Sequence, residues 1–356
     1  MIPWVANSHP PPEETAPMIS VIFAARDEAE KLPAALTSLL KLDYPRYEVI
    51  AVNDRSRDST CNILDQFGQT SKRLHVIDIT ELPPGWLGKT HALDAGYRSS
   101  CGEWLVFTDA DVEFQPDVLG RTMSLTEHRG WDHLTLLAGV DMRGFWETVA
   151  IHYFSLAFLF GNSVWNVNDP RSPSYLGVGA FQLVRRSAYA AVGGHRRLAF
   201  EVIDDMKLGK IIKRGGFRSG VAIGIDEVRV RWHAGVGNVI RGVTKNLFAA
   251  VHYNLGFAIL SSFVPIILSV TPWFGIFLTT GWARIFAAIL LAWELTLQGA
   301  SLHAFHKSPF YALAQPIGAV LCSWMILRSA IVTLRDGGVT WRDTFYPLEE
   351  LRRGMV

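Results

Sequence analysis

The sequence predicts an α/β domain on a mostly parallel, Rossmann-like sheet, followed by C-terminal transmembrane helices. Three observations carry this expectation. Short β-rich runs alternate with helical stretches from Ile19 onward, two of those runs end on Asp54 and Asp109, and no formally charged side chain occurs between Lys245 and Arg284. Such alternation with short connections favours parallel strands covered by helices, whose ligands sit at the carboxyl ends of the strands. The uncharged stretch is longer than a soluble helix needs.

In chain order, residues 19–24 read as a buried strand that stops at Arg26-Asp27-Glu28. Residues 28–40 place Leu32, Ala35, Leu36, Leu39 and Leu40 at helical spacing, and Tyr44-Pro45 ends that pattern. Strands follow at 47–52, 74–77, 104–107 and 135–137, with a second helix at 59–67. Residues 145–165 are aromatic and apolar yet contain Glu147, His152 and Asn162, which suits either a core helix or one at a membrane interface. Residues 177–184 and 228–232 read as later strands, with a helix over 205–214 between them.

Three apolar segments close the chain, at 255–278 with Pro265 and Pro272, at 285–297 with Glu294, and at 311–334. The first and third are long enough for a hydrocarbon core of about 30 Å. Three crossings from a cytoplasmic domain would leave the C-terminus outside, whereas Arg335, Arg342, Arg352 and Arg353 after the last segment favour the cytoplasm. The expectation is that one segment does not cross. The implied division is a flexible lead-in over 1–17, a catalytic domain over 18–245, a membrane domain of two to three helices over 246–335 and a tail over 336–356.

Bulk properties narrow the partners. The chain has 356 residues, a formal charge of +1, 49% hydrophobic and 19% charged residues, so no global field argues for nucleic acid. Cys61, Cys101 and Cys322 are scattered, which suits a reducing compartment and argues against a disulfide framework or zinc site. The first residues, including His9-Pro10-Pro11-Pro12-Glu13-Glu14, contain no basic region followed by an apolar core, so no signal peptide is expected.

Chemistry concentrates in a few motifs. Phe107-Thr108-Asp109-Ala110-Asp111 ends an apolar run with two carboxylates one residue apart. In extended backbone positions i and i+2 face the same way, so both acids converge on one ligand, a pattern suited to Mg²⁺ or Mn²⁺ bridging a diphosphate. In Val52-Asn53-Asp54-Arg55-Ser56-Arg57-Asp58-Ser59, Asp54 suits either accepting hydrogen bonds from a nucleotide or a turn and capping duty, while Asp58 reads as a turn and capping residue.

The ordered motifs ISVIFAARDEAE, VNDRSRDST, WLGKTHALDAG and TDADV resemble the family-2 glycosyltransferases with a GT-A fold. Trp86-Leu87-Gly88-Lys89 with the apolar tail is most similar to the lipid-glycosylating branch, which includes ceramide glucosyltransferase-like and bacterial carotenoid- or hopanoid-associated enzymes. The resemblance implies that Asp54 contacts the nucleotide, Lys89 approaches the donor, and Asp109 and Asp111 bind metal and diphosphate. It maps the general base of an inverting reaction to Asp205 and its neighbour to Asp204. It also matches Arg231 and Trp232 to the end of a (Q/R)xxRW motif, where Val228 replaces the expected Gln or Arg. That departure favours transfer of one sugar over polymer synthesis. Arg241 and Lys245, four apart, would share a helix face that meets lipid headgroups or diphosphate.

The implied protein is a multi-pass membrane enzyme with a cytoplasmic catalytic domain. It would use a nucleotide-diphosphate sugar, a UDP-sugar first among them, and a lipid acceptor. A processive polysaccharide synthase and a non-catalytic scaffold that kept the fold are the rival expectations.

Overall fold

A computed structural model describes residues 2–10, 14 and 16–356. Its strands are β1 (Ile19–Ala25), β2 (Tyr47–Asp54), β3 (Leu74–Ile79), β4 (Trp104–Asp109), β5 (Val112–Phe114), β6 (His133–Val140), β7 (Gln182–Arg185), β8 (Ser219–Val230), β9 (Gly338–Trp341) and β10 (Thr344–Pro347). The first eight helices are α1 (Leu32–Leu40), α2 (Thr60–Thr70), α3 (Gly88–Ser99), α4 (Val118–Arg129), α5 (Gly144–Gly161), α6 (Arg186–Ala191), α7 (Gly194–Arg197) and α8 (Asp204–Arg214). The remainder are α9 (Val236–Ala250), α10 (Leu255–Ser269), α11 (Thr271–Leu278), α12 (Gly281–Ala304), α13 (Gln315–Asp336) and α14 (Leu348–Arg353).

The chain forms two compact units. A sheet unit comprises 1–141, 162–231 and 354–356, and a helical unit comprises 142–161 and 232–353.

In the sheet unit, eight strands run in the order β3-β2-β1-β4-β7-β6-β8-β5. β1 to β4 pair in parallel, as do β6 and β8, while β7 and β5 are antiparallel to their neighbours. Alternate residues of β1 feed opposite faces. Val21 and Phe23 join α1 through Leu32, Leu36 and Leu39, whereas Ile22 joins α3 and α8 through Leu93, Leu208 and Ile211. The acidic ends of β2 and β4 therefore emerge side by side, separated by the central strand β1.

Several elements differ from expectation for identifiable reasons. α1 starts at Leu32, not at residue 28. The Glu28 N–H is taken by Thr60 Oγ1 at 2.9 Å and the Ala29 N–H by Asp58 Oδ2 at 3.1 Å, so this stretch is tied to the loop after β2. Asp58 also accepts from the Thr60 N–H at 2.9 Å, the capping role expected of it. β7 is confined to Gln182–Arg185, because the glycine backbone before it packs against α8. The strand expected over 228–232 ends at Val230.

Within the lead-in, Val5 is fully buried, the Ile223 N–H donates to the Pro3 carbonyl at 2.8 Å, and Trp4 bridges to Ile223. The expected flexibility does not extend to these residues; Pro11, Pro12 and Glu13 lie outside the described residues.

The helical unit carries α5 and α9 to α14. Two of its helical stretches, Gly281–Ala304 and Pro309–Asp336, are long and apolar enough to cross a membrane, and the pair Leu255–Ser269 and Thr271–Leu278, bent by 46°, would make a third. The segment expected over 285–297 is thus the middle of a 24-residue helix. The bend falls at Val270, with Pro265 inside α10 and Pro272 opening α11. The tail motif is a β9–β10 hairpin turned by Arg342 and Asp343, both in the left-handed region. Arg241 and Lys245 both lie on α9, and the Lys245 ammonium rests 3.5 Å from the Trp341 ring centre.

One packing constraint yields a stability prediction. A Cβ on Gly96 of α3 would stand 2.5 Å from Ile22 Cγ2 and 3.2 Å from Val52 Cγ2. Gly96→Ala should therefore lower stability by about 1–3 kcal/mol through overpacking, seen as a lower denaturant midpoint of the purified protein.

Candidate active site

The candidate residues of the sheet unit converge where β2, β4 and β8 end and where α3 and α8 begin. Asp54, the last residue of β2, is buried and bound by two bonds from Arg55, at 2.7 and 3.0 Å, with Arg26 Nη1 at 4.0 Å. Gly88 opens α3 beside it, and a Cβ there would lie 2.3 Å from Asp54 Oδ2. The glycine of the WLGK motif thus admits a carboxylate to the positive end of a helix. Around Asp54, the buried Arg26 Nε and His91 Nδ1 have no hydrogen-bond partner. Burial pushes the His91 imidazole pKa down, against the pull of Asp54. Buried polar atoms without partners are uncommon, and here they border an acid at a strand end.

Lys89 is fixed by its flanks. The Leu87 N–H donates to the Ala199 carbonyl at 2.7 Å, and Thr90 Oγ1 donates to the same oxygen at 2.8 Å. Its ammonium lies 2.8 Å from Asp109 Oδ1 and 3.5 Å from Asp204 Oδ1. Burial disfavours that charge, yet the carboxylates of Asp109, Asp204 and Asp205 override it and raise the lysine pKa.

The two acids of the DAD motif are held differently. Asp109 ends β4 with a side chain 42% exposed, and Ala110-Asp111 form a turn, so the pair does not continue as extended strand. Lys31 Nζ bonds Asp111 Oδ2 at 2.7 Å and the Arg231 carbonyl at 2.9 Å. Burial pushes the Asp111 carboxyl pKa up and repulsion from Asp109 adds to this, with Lys31 opposing. Among the described residues, no group of three or more His, Cys, Asp or Glu is arranged to hold a metal ion.

The acidic pair opening α8 divides its labour. Asp204 is buried against Lys89, and His195 Nε2 stands 3.9 Å from its Oδ2. That contact is not an ion pair, because burial and then Lys89 bring the His195 pKa down to about 3 and leave the ring neutral. His195 Nδ1 is instead paired with the Tyr189 hydroxyl at 2.8 Å. Asp205 accepts from the Gly179 N–H at 2.9 Å and from its own helix at the Met206 N–H at 2.8 Å. Burial raises its carboxyl pKa; Lys89 opposes this, Asp109 adds to it, and the result stays above the ordinary value.

Gly179 joins the two acidic groups. Its N–H binds Asp205, and a Cβ on it would fall 2.6 Å from Asp109 Oδ2. Gly177 is closer still to α8, since its Cβ would meet the Asp205 carbonyl at 1.8 Å.

Asp54, Lys89, Asp109, Asp111, Asp204 and Asp205 therefore lie in one region of the sheet unit. Arg231 adjoins it through its carbonyl on Lys31, while its guanidinium donates to the Asp141 carbonyl at 2.8 Å. Trp232 belongs to the helical unit, where it stacks on Phe154 with centroids 5.4 Å apart. Lys31, Gly179 and His195 escaped the sequence reading. A Gly-x-Gly inside an apolar run does signal close backbone approach, but nothing local pairs Lys31 with an acid eighty positions away.

Comparison with known proteins defines the class. Over 94% of the chain the fold matches a mannosyltransferase from Pyrobaculum calidifontis, solved in complex with GDP-Man and Mn²⁺, with a TM-score of 0.57, 20% identity and 91% of that chain covered. The sheet unit has the GT-A glycosyltransferase fold. Residues 20–149 match the family described as glycosyl transferase family 2. Over that stretch the chain is similar to glycosyl transferase family 2.

Two relatives extend the likeness. One is a 4,4'-diaponeurosporenoate glycosyltransferase of Staphylococcus haemolyticus, 27% identical over 246 residues, 66% of this chain and 62% of the relative. The other is a beta-monoglucosyldiacylglycerol synthase of Trichormus variabilis, 25% identical over 198 residues, 54% of this chain and 40% of the relative. The matched stretch thus spans under two thirds of either relative's length.

The glycine loop separates two kinds of cost. Gly177→Ala should destabilise the protein by about 1–3 kcal/mol or more, because the added methyl meets backbone. Gly179→Ala should cost less than about 1 kcal/mol, because its methyl meets a half-exposed carboxylate that can rotate. Thermal melts of the two purified variants against the parent check the order.

Proposed function

We propose that this chain transfers one sugar, with inversion, from a nucleotide-diphosphate sugar to the hydroxyl of a membrane lipid. The observation that carries the reading is the Gly179 junction. One glycine has Asp205 on its N–H and Asp109 against its open side, so two carboxylates of different surroundings flank one small space. Asp205, with its raised pKa and fixed orientation, suits a general base. Asp109 and Asp111 suit the diphosphate end of the donor.

Asp109 and Asp111 also fit a divalent cation, Mg²⁺ or Mn²⁺. They are hard oxygen ligands, burial and then repulsion from Asp109 raise the Asp111 pKa, and the missing Cβ of Gly179 leaves room beside Asp109. With no third protein acid grouped on them, the remaining ligands would be diphosphate oxygens and water. Such an ion would neutralise the charge that develops on the departing diphosphate.

The steps assigned to the protein follow. Asp54, with Arg26, Arg55 and His91 around it, would bind the nucleoside, satisfying the polar atoms that now lack partners. Lys89 would keep the carboxylates ionised and turn toward the diphosphate. Asp205 would take the acceptor hydroxyl's proton as that oxygen bonds to the anomeric carbon. The bond from that carbon to the diphosphate oxygen breaks, and its electron pair leaves on the nucleotide. Asp204 and the neutral His195 would hold Lys89 in place.

The apolar helices and the diacylglycerol in one relative's name support a lipid acceptor. Val228, at the position where the family's polymer-synthase motif has Gln or Arg, is fully buried and pairs with Phe114 in the sheet, which supports single transfer.

The test is mass analysis of lipids after the protein, in bilayers, meets a panel of nucleotide sugars. A lipid carrying one sugar is the expected product; a polymer or no product at all would overturn the reading. Asp205→Asn should lower turnover by about 10²–10⁴-fold while donor binding persists, and a chelator should abolish transfer until Mg²⁺ or Mn²⁺ returns. The base works deprotonated and its pKa is raised, so the acid limb of the rate profile should fall at a pH above the ordinary aspartate range.

A further inference from the structure

The turn that touches both acidic groups does not hold itself in place. Residues 178–181 form a turn closed by the Phe181 N–H on the Val178 carbonyl at 3.1 Å, with Gly179 and Ala180 at its tip. Glycine restricts the backbone least of all residues, and Gly177 and Gly179 stand two apart at the start of this segment. Yet the Gly179 N–H is aimed at Asp205 Oδ2, 2.9 Å away. The rigidity behind that aim has to come from outside the turn.

Two buried threonines of the sheet unit supply it. Thr135, fully buried in β6, holds both ends of the turn with one hydroxyl. Its Oγ1 accepts the Val178 N–H at 3.0 Å and donates to the Phe181 carbonyl at 3.1 Å. The same carbonyl accepts the Leu136 N–H at 3.2 Å, which ties the end of the turn to β6 a second time. Thr108, buried in β4, donates from Oγ1 to the Ala180 carbonyl at 2.8 Å.

These three side-chain bonds go to the four residues that stand between Asp109 and Asp205. Thr108 is covalently joined to Asp109, and its hydroxyl reaches Ala180, the neighbour of Gly179. Gly179 in turn reaches Asp205 through its N–H and lies against Asp109 on its open side. The relative position of the two carboxylates is therefore set through the turn. A hydroxyl both donates and accepts, and Thr135 uses both capacities here. Valine has nearly the same shape and neither capacity, so it would leave the Val178 N–H without its partner, a costly state for a shielded donor.

We infer that Thr135 and Thr108 are positioning residues for sugar transfer, clamping the 178–181 turn so that Gly179 orients Asp205 against Asp109. The role rests on the reading of Asp205 as general base proposed above. Misplacing a reacting group by about 1 Å can cost on the order of 10²-fold in rate. The clamp thus governs turnover, whereas donor binding draws on Asp54 at the end of a different strand, β2.

The experiment compares the parent with Thr135→Val and Thr135→Ser in bilayers, by steady-state transfer and by amide hydrogen exchange over 176–182. Thr135→Val should lower kcat about 10–100-fold while the donor KM stays within about threefold. Exchange over 176–182 should quicken in that variant, and exchange over β1 should match the parent. Thr135→Ser keeps the hydroxyl and should restore both readouts, which a loss of packing alone would not do. A Thr135→Val that turns over and exchanges like the parent overturns the inference, as does a Thr135→Ser as impaired as the valine variant. Should Thr135→Val not fold, Thr108→Val takes its place, and unchanged exchange over 176–182 there overturns the clamp. A parent that transfers no sugar would instead overturn the proposed function, and the exchange comparison would still decide whether the threonines hold the turn.

Discussion

The ammonium of Lys89 is the interaction on which the site depends. Four carboxylates arrive in one region from two separate stretches of chain, Asp109 and Asp111 after β4 and Asp204 and Asp205 at the start of α8. Without a cation their repulsion would drive protons onto them or push the segments apart. Lys89 contacts one acid of each pair, Asp109 at 2.8 Å and Asp204 at 3.5 Å, and Lys31 answers Asp111. The two lysines occupy the position of counter-charge that a diphosphate and its cation would alter. A site balanced in this way can exchange partners without exposing bare acid to a low-dielectric interior.

The backbone makes that balance possible. Parallel strands β2 and β4 flank β1 and finish together, so their terminal acids share one edge. α3 starts with Gly88 because a side chain there would collide with Asp54, which puts Lys89 one residue into the helix. The Gly177-to-Gly179 loop then brings β7's approach within contact of both acidic groups, since neither position tolerates a Cβ without displacing an atom of Asp205 or Asp109. The geometry of this cluster is a consequence of three glycines as much as of the charged residues.

Much of this was legible in the chain itself, for a physical reason. Strand ends, the DAD motif and Asp54 are local patterns, readable from neighbouring residues, whereas Lys89 and the acidic pair of α8 were singled out by the resemblance to family-2 glycosyltransferases. The misreadings share the opposite property. Residues 28–31 look helical, but the Glu28 and Ala29 N–H groups go to Thr60 and Asp58 some thirty positions away. Lys31 drew no attention because its partner Asp111 is eighty positions away, and residues 177–181 look like strand until α8 packs against their glycines. Long-range partners decided each case, and a single sequence does not print them.

The same distinction governs the helical unit. Hydropathy measures whether a helix is able to sit in hydrocarbon, and α13 is as able as α12 by that measure. Which neighbours it packs against is decided by contacts far apart in sequence, such as Ser329 with Phe248 and Arg328 with Thr244. The small and polar residues along the buried side of α13, among them Gly318, Ala319, Ser329 and Thr333, suit a helix whose partners are α5, α9 and α10. Its exposed side carries the apolar stripe of Ile317, Val320, Trp324 and Ile331.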